Sequence, residues 1–455
     1  MMMLARYRPT FALGVVATVF AGWLISRPSV AQGSGARRAL FEAWCWSPAA
    51  RADKNLYPMV WVRHSNYADP GKIAAEASRL PHGRVALFMW NAASSLLKGS
   101  LDASRTAAGR PTQYPSPWLD QGAAQISAKM TRFFREYKAA GGRLNYLVLD
   151  YEAGLGSWSM SKANLLAISA DPRSAALKKK LGFSNLLSVG TSAGGPCSER
   201  CRRIWNEMMG HIVATALNHA IYRPARKIFS RLRAGNYDNV IMLGLIAPDE
   251  NGYYQPLDTI FGNVQNPSYY NRIAWGLRGW LATQETGGHG PFATLRYELL
   301  NLEAIQRGAH PPIVPWISYK SYVKNNPYYR ELIYQLAMRG VNHFLYWNPR
   351  AWLKGQILTT THDNTVLNNC LTVLNKKLGS TPGKALGTGA ITWNTALLVA
   401  ARTTSTGRIL YRVTVPPGTK AIGIHPGRRP VATNGKTGVW VMSSADRPLT
   451  FTVSH

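Results

Sequence analysis

Two carboxylates that follow one apolar run are the residues of this chain best suited to chemistry. Residues 144–152 read LNYLVLDYE and end in Asp150 and Glu152. Such a run predicts a strand buried on both faces, on which residues two apart share a side. Two neighbouring acids resist double ionisation, so one of them keeps a proton near neutral pH and can act as a general acid. The alternative is a strand that ends in two solvated acids.

Strands alternating with helices surround this run. Apolar segments at residues 39–46, 57–64, 84–90, 144–151, 239–246, 312–318 and 341–347, with a weaker one inside 273–283, are separated by helical stretches. Eight such segments predict an α/β fold, a (β/α)8 TIM-like barrel. Catalytic residues of such barrels gather at the C-terminal ends of the strands, where Asp150 and Glu152 would lie.

The composition changes near the C-terminus. Residues 379–389 read GSTPGKALGTG, and short strand-like segments separated by turn pairs follow. This pattern predicts a small C-terminal all-β, sandwich-like domain that either binds sugar or caps the barrel. The predicted organisation is a signal peptide at 1–31, a catalytic barrel at 32–379 and a β module at 380–455.

The N-terminus has the pattern of an export signal. Arg6 and Arg8 precede an apolar segment at residues 11–25, and Ser29-Val30-Ala31 supplies the small residues of a cleavage site. We therefore expect a secreted or periplasmic protein cleaved near Ala31. An uncleaved anchor is the alternative, although the apolar segment is short for a membrane span. No other segment predicts contact with a membrane.

The chain is strongly basic, with 53 Lys and Arg against 22 Asp and Glu. Such a charge attracts polyanions. The basic residues are dispersed, without zinc-finger spacing or an RNA-binding signature, so no dedicated nucleic-acid element is predicted. Dinucleotide and nucleoside-triphosphate motifs are also missing, and we expect no cofactor. The predicted partner of a monomeric protein is a polysaccharide, and the charge leaves open whether it is anionic.

Four cysteines, at positions 45, 197, 201 and 370, suggest disulfides in an exported protein. Cys197 and Cys201 are spaced to close a small loop. That leaves Cys45 with Cys370, a pair that would tie the first strand to a late helix. Zinc is the alternative, but no His stands at ligand spacing, so no metal is predicted.

Further candidates for substrate binding follow other predicted strands. They are acids, aromatic rings and polar groups: Asn91, Asp249, Glu250, Tyr253, Tyr254, Lys320 and Trp347. Such a cleft suits glycosidic cleavage, in which one acid protonates the leaving oxygen and another group stabilises charge on the sugar. Glu152 is the predicted acid, modulated by Asp150. A solvated turn at 249–250 and a core role for Trp347 are the alternatives.

Several segments resemble hyaluronidase-type glycosidases. Residues 147–152, LVLDYE, are similar to the D-x-E strand of that family, and PIVPW at 312–316 and GVNHFLYW at 340–347 are similar to its last two strands. The cysteines at positions 45 and 370 resemble the cystine that closes its barrel. The resemblance implies a retaining glycosidase in which Glu152 is the acid/base, Asp150 assists, and the substrate's N-acetyl group is the nucleophile.

This chain departs from the family in places. Leu245 stands where the family has a Tyr, and the fuller acidic motif of chitinase-type barrels is absent because Asn145 and Val148 occupy its upstream positions. The sugar therefore stays open. Three hypotheses remain: a secreted glycosidase, an inactive barrel that binds a glycan or cell-wall polymer, and another barrel enzyme such as a lyase or esterase.

Overall fold

The structure of the protein is a computed structural model that describes part of the chain. The described residues are 41–45, 55–62, 67–80, 84–89, 103–115, 122–150, 162–182, 184, 218–238, 273–276, 291–293, 295–296, 299–300, 303, 313–317, 327–346, 361–379, 383–392 and 394–454. All of them lie in one compact unit, Ala39–His455. The predicted signal peptide at 1–31 lies outside the described residues.

Eight parallel strands form a sheet whose ladder closes on itself, called the barrel below. The barrel strands are β1 Glu42–Cys45, β2 Leu56–Val62, β3 Ala86–Met89, β6 Tyr146–Asp150, β7 Arg233–Asp238, β8 Ile273–Gly276, β9 Ile313–Ile317 and β10 His343–Tyr346. Between β3 and β6, strands β4 Ala103–Arg105 and β5 Pro111–Pro115 form a separate hairpin. The barrel order is β1-β10-β9-β8-β7-β6-β3-β2, and β2 pairs with β1.

Helices fill several of the connections between strands. They are α1 Pro70–Ser78, α2 Gly122–Ala139, α3 Lys162–Ala170, α4 Ala175–Leu181, α5 Arg223–Ile228, α6 Tyr328–Met338 and α7 Thr361–Leu378, with a 3₁₀ turn at Pro172–Ser174 and a π turn at Asn218–Tyr222. The described residues do not place a helix after every strand, so the full eightfold repeat stays a prediction. Within these ranges no helix is both long and apolar enough to span a bilayer.

The ends of two helices follow from local chemistry. α1 begins after Asp69, whose side chain accepts a hydrogen bond from the backbone N–H of Lys72 at 2.9 Å, and Pro70 supplies the first helical residue. α2 is followed by Gly141, whose φ of 84° is left-handed and therefore favours glycine. In the sequence, the apolar pattern of residues 121–140 predicts this helix, and Gly141-Gly142 predicts its end.

Side chains that alternate along the barrel strands form two kinds of apolar core, one inside the barrel and one between the strands and the surrounding helices. Ala43 and Cys45 of β1 join an outer apolar cluster with α6 and α7, whereas Trp44 joins the cluster inside the barrel. On β2, Val60 and Val62 likewise face an outer cluster with α1 and α2. Most side chains on both faces of the barrel are therefore apolar, as expected of a parallel sheet.

The fifth barrel strand does not begin where the sequence predicted it. β7 covers Arg233–Asp238 and pairs in parallel with β6 and β8. The predicted segment, 239–246, lies outside the described residues. The sequence RAGNYD is polar and gives no local strand signal, so pairing with two neighbouring strands rather than intrinsic propensity selects it.

The predicted disulfide between Cys45 and Cys370 is wrong. Both cysteines are buried, and no bond joins them. Burial raises the pKa of Cys370 to about 12, and its thiol contacts the hydroxyl of Tyr334. The tie between the first strand and the last helix is made instead by an amide, because the Asn375 side chain accepts from Phe41 N at 2.8 Å and donates to Phe41 O at 3.1 Å.

An antiparallel β module follows the barrel, as the sequence predicted. Its strands are β11 Ala385–Leu386, β12 Leu398–Thr403, β13 Ile409–Thr414, β14 Ala421–His425, β15 Arg428–Ala432, β16 Gly438–Ser443 and β17 Thr450–Ser454. They form one sheet in the order β11-β12-β13-β16 and another in the order β15-β14-β17. Tyr411 and Ile424, from the two different sheets, share one core cluster, so the sheets pack face to face.

Buried polar groups join the β module to helix α6. Arg412 Nε donates to Glu331 Oε2 at 2.9 Å, and Thr414 Oγ1 donates to the same oxygen at 2.7 Å. Gln335 donates to Leu398 O at 2.9 Å and to Thr414 Oγ1 at 2.9 Å. These buried bonds fix the module against the barrel and support a capping role.

Candidate functional site

The inner face of the barrel is charged at the N-terminal ends of its strands. Glu42, fully buried at the start of β1, lies 2.8 Å from His343 Nδ1 and accepts from both terminal nitrogens of Arg84, one of them at 2.6 Å. Arg233, at the start of β7, reaches across the barrel, where its Nη1 lies 3.2 Å from His343 Nε2. Four charged or titratable groups thus close this end of the barrel.

This charged layer is a structural feature. Burial raises the pKa of Glu42, but the hydrogen bond from Arg84 and the contact with His343 outweigh it and hold the pKa at about 2. Arg84 also lies over the rings of Trp44 and Tyr57, at 5.2 and 4.6 Å from their centroids. Because the layer lies at the N-terminal face of the barrel, we assign it to stability rather than to chemistry.

Aromatic rings fill the barrel above that layer. Trp44 contacts Tyr57 and Tyr146, with ring centroids 5.3 and 6.1 Å apart. Nearer the C-terminal ends, Trp61 packs on Phe88 at 5.1 Å with an interplanar angle of 49°. All of these rings are buried except that of Trp61, which is partly exposed. Trp61 was not among the predicted site residues, although Tyr57, Met59 and Trp61 follow one another at two-residue spacing, a signal that they share one face of the strand.

Asp150 ends β6 at the C-terminal face of the barrel. Tyr146 and Val148, four and two residues earlier on β6, belong to the interior cluster. By alternation, Asp150 holds the next position on that inner face. Its register partner on the neighbouring strand β7 is Tyr237. Tyr237 was also missed, because the sequence predicted the fifth strand a few residues further on.

Two segments that follow adjacent strands in the chain contact each other. The β4–β5 hairpin follows β3 and helix α3 follows β6, so both belong to connections that leave the C-terminal ends of adjacent strands. Asp171, fully buried, accepts from Arg105 N at 2.8 Å and from Arg173 Nη2 at 2.7 Å. Burial alone would raise the pKa of Asp171, but the hydrogen bonds from Arg173 outweigh burial, so the pKa lies below its ordinary value. The two segments are therefore locked together.

We call these two segments, residues 103–115 and 162–182, the cationic rim. They contain seven basic residues and one acid, and that acid, Asp171, is already occupied by Arg173. The basic residues are Arg105, Arg110, Lys162, Arg173, Lys178, Lys179 and Lys180. Connections that leave the ends of β3 and β6 are thus positively charged.

Most of the residues predicted for the site lie outside the described parts of the chain. They are Glu152, Asn91, Asp249, Glu250, Tyr253, Tyr254, Lys320, Trp347, Cys197 and Cys201. β7 ends at Asp238, so Asp249 and Glu250 do not directly follow the described strand. In the part of the chain that the structure describes, no three His, Cys, Asp or Glu side chains are grouped as metal ligands would be.

The chain is distantly similar to several solved structures. No protein-family model matches the sequence, and no curated protein matches it. An endo-β1,6-glucanase is 11% identical with a TM-score of 0.39, over 86% of this chain and 87% of its own. A cold-adapted β-galactosidase from Rahnella sp. R3 is 10% identical with a TM-score of 0.39, over 72% of this chain and 52% of its own.

A weaker likeness relates the chain to a different kind of enzyme. Morphinone reductase is 13% identical with a TM-score of 0.29, over 68% of this chain and 72% of its own. Glycoside hydrolases are therefore among the solved structures that the chain resembles, but likenesses this weak do not decide its function. The resemblance to hyaluronidase-type enzymes in particular stays a prediction.

Proposed function

We propose that the protein is a glycoside hydrolase that cleaves a polysaccharide at the C-terminal face of its barrel. The observation that carries the proposal is the position of Asp150 at the end of β6, in line with the inward-facing Tyr146 and Val148. Barrel enzymes place their catalytic residues at this face. The β module caps the barrel in this proposal, and the complete fold is a (β/α)8 barrel.

Glu152 is the proposed general acid and base. It follows Asp150 by two residues, a spacing that keeps two carboxyl groups on one side of an extended chain. Glu152 donates its proton to the glycosidic oxygen as the bond to the anomeric carbon breaks. Asp150 keeps Glu152 protonated before cleavage by repelling a second negative charge, and then orients the substrate.

The proposed mechanism is retaining. On a sugar that carries an N-acetyl group, the acetamido oxygen attacks the anomeric carbon, and water directed by Glu152 then opens the cyclic intermediate. On other sugars, a second carboxylate about 5 Å from Glu152 would be the nucleophile, and one about 6.5–9.5 Å away would produce inversion instead. Asp249 and Glu250 are the candidates for that second role.

The cationic rim supports an anionic polysaccharide as the substrate. Its charge lies on connections that leave β3 and β6, close in sequence to Asp150. A cleft bordered by charge of one sign concentrates substrates of the other sign. Together with the predicted signal peptide, this favours an exported enzyme that meets acidic glycans outside the cytoplasm.

A barrel without activity that binds a glycan or cell-wall polymer is the second candidate function. It is favoured by the aromatic rings inside the barrel and by the charged layer at its N-terminal face, because both are explained by stability without any catalytic role. Both functions predict glycan binding, and only the first predicts cleavage.

Cleavage assays separate the two. Wild type, Glu152→Gln and Asp150→Asn are incubated with hyaluronan, chondroitin, chitin oligomers and neutral glycans, and new reducing ends are counted. We expect wild type to cleave at least one glycan, Glu152→Gln to lose nearly all activity, and NMR to show retention at the anomeric carbon. Binding without cleavage would favour the inactive barrel, and an unsaturated product that absorbs in the ultraviolet would indicate elimination by a lyase.

A further inference from the structure

We propose that the β module holds a second, noncatalytic binding site for the anionic polysaccharide of the proposed function. The site combines an apolar cleft between the two sheets of the module with an adjoining pocket that carries two lysines. This inference rests on the proposed function and deepens it, because it assigns recognition of the polymer's carboxylates to residues outside the barrel. The ligand that it predicts is a chain of sugar rings that carries carboxylate groups.

The larger sheet of the module uses its two faces differently. Leu398 and Ala400 of β12 belong to the outer apolar cluster that contains residues of helices α6 and α7. Val399 and Ala401 alternate with them along β12 and belong with Ile424 to the core between the two sheets. One face of this sheet therefore fixes the module to the barrel, and the opposite face is directed towards the cleft.

The cleft lies along β17, which is an edge strand, and has a volume of about 1020 Å³. This volume is at the upper end of the range for ligand-binding sites, about 300–1000 Å³. Its lining includes apolar side chains that are half-buried rather than buried, and threonine hydroxyl groups stand among them. The apolar residues are Leu397, Val399, Phe451 and Val453, and the threonines include Thr419 and Thr450. Such a surface suits sugar rings, which have apolar C–H faces and hydroxyl edges.

A smaller pocket, of about 370 Å³, adjoins the cleft. The two cavities share the turn at residues 416–419, which lines both of them. Lys420 and Lys436 line the smaller pocket, called the lysine pocket below, and both residues are exposed. Among the described residues, neither lysine forms an ion pair. Both positive charges are therefore available to an anionic ligand.

One buried threonine holds the two lysines on the same pocket. Thr433 is fully buried, its backbone N–H donates to Lys420 O at 2.9 Å, and its carbonyl accepts from Lys436 N at 2.9 Å. The Thr433 hydroxyl also donates to Lys420 O at 3.0 Å. The backbones that carry the lysines are thus ordered before a ligand binds, which lowers the entropy cost of binding.

Charge decides which polymer complements the whole site. Residues 390–455 contain eight Lys and Arg but a single acid, Asp446. A neutral glycan gains nothing from this charge, whereas an anionic one is attracted to it. An acidic peptide supplies carboxylates as well, but it lacks the sugar rings that suit the cleft. An anionic polysaccharide complements both the cleft and the lysine pocket.

The first test measures binding by the full chain. Calorimetry with oligomers of hyaluronan and of chondroitin uses the Glu152→Gln background, in which we expect binding without cleavage. The test variant combines Lys420→Gln with Lys436→Gln. The matched control combines Lys72→Gln with Lys129→Gln, which removes the same charge from exposed positions on helices α1 and α2. We expect the test variant to weaken binding about fivefold, because two exposed charge contacts are lost, and the control to stay within about twofold.

A single substitution tests the cleft. Thr450 is an exposed residue of the cleft wall, so Thr450→Glu adds a negative charge there without entering the core. We expect about threefold weaker binding of the oligomers, because the new carboxylate repels those of the polymer. The matched control is Ser78→Glu, which adds the same charge to an exposed position on α1 and should change the affinity less than twofold. Circular dichroism verifies that every variant is folded.

The last test locates the bound polymer. A water-soluble carbodiimide joins carboxylates of bound hyaluronan oligomers to nearby lysine amines, and peptide mass spectrometry identifies the linked lysines. We expect links at Lys420 and Lys436 at oligomer concentrations that leave Lys72 and Lys129 unlinked. Poly-L-glutamate, which carries carboxylates without sugar rings, should compete poorly, and neutral chitin oligomers should bind more weakly than the anionic ones.

The outcomes separate this site from the proposed hydrolysis. Wild-type affinity in the folded double lysine variant, or equal weakening in its control, overturns the inference even where wild type cleaves a glycan. Links at Lys420 and Lys436 without cleavage of any glycan leave the module site standing and overturn hydrolysis. Competition by poly-L-glutamate as strong as that by the oligomers assigns the site to acidic peptides and overturns the polysaccharide.

Discussion

Asp150 and Tyr237 are register partners at the C-terminal ends of the neighbouring parallel strands β6 and β7. Residues paired in this way lie on the same face of a sheet, so the alternation that assigns Asp150 to the inner face assigns Tyr237 to it as well. Under the proposed function, a phenol at this strand end would be a candidate to donate a hydrogen bond to the reacting sugar. The pair therefore extends the proposed site from one strand to two.

Removing the phenol oxygen of Tyr237 tests this extension. We expect Tyr237→Phe to lower kcat about tenfold, because one hydrogen bond to the substrate is lost, and to leave the free energy of unfolding nearly unchanged. Steady-state kinetics on the best substrate of the panel, together with urea unfolding, measure both. An unaltered kcat would remove Tyr237 from the site.

Glu42 should make the protein sensitive to acid. Its folded-state pKa of about 2 lies below the ordinary 4.5, so its contribution to stability is fully present above pH 4.5 and is lost as the pH falls from 4.5 towards 2. The shift corresponds to about 3 kcal/mol. Urea unfolding between pH 6 and pH 3 should show most of this loss in wild type.

The Glu42→Gln variant isolates that contribution. It leaves Arg84 buried beside an uncharged amide, and we expect it to cost about 3–5 kcal/mol at pH 6 and to flatten the acid dependence. The matched control is Glu136→Gln, which breaks an exposed ion pair with Arg132 and should cost about 0.5 kcal/mol. Equal effects of the two variants would contradict the assignment of the charged layer to stability.

The contact between helix α6 and the β module should be sensitive to its buried ion pair. Glu331→Leu leaves Arg412 buried without its carboxylate, and we expect a loss of about 3–5 kcal/mol in the free energy of unfolding. Adding Arg412→Leu should restore part of that loss, because no charge then stays buried. A double variant no more stable than the single one would show that the pair itself, rather than an uncompensated charge, stabilises the interface.

The thiols of Cys45 and Cys370 should be unreactive in the folded protein. Both are buried, and the high pKa of Cys370 keeps its thiol protonated, whereas alkylation requires the thiolate. Iodoacetamide should modify neither residue in buffer and both in urea, as peptide mass spectrometry would show. A peptide pair linked through these two cysteines would contradict the structure.

The sequence predicted those helices and strands whose ends are marked by local residue patterns. The apolar run that ends in Asp150 became strand β6, and the glycine at position 141 ended helix α2 where expected. β7 could not be predicted in this way, because Arg233–Asp238 is polar and becomes a strand only through pairing with β6 and β8. Intrinsic strand preference is weak enough for such pairing to override it.

The candidate site was predictable only in part, for the same reason. Asp150 stands out because it ends an apolar run, whereas Tyr237 gains meaning only from strand register, which a single sequence does not contain. The tie between the first strand and α7 was predicted as a cystine, but Asn375 makes it with two hydrogen bonds to Phe41. An amide in a helix gives no comparable signal in the sequence.

The central proposal, that Asp150 and Glu152 act in the cleavage of a glycosidic bond, is tested most directly by the kcat of Glu152→Gln on the best glycan of the panel. Glutamine keeps the size of the side chain but cannot donate the proton, so we predict a loss of about 10³-fold in kcat with binding retained. Wild-type kcat in the folded Glu152→Gln variant would contradict the claim.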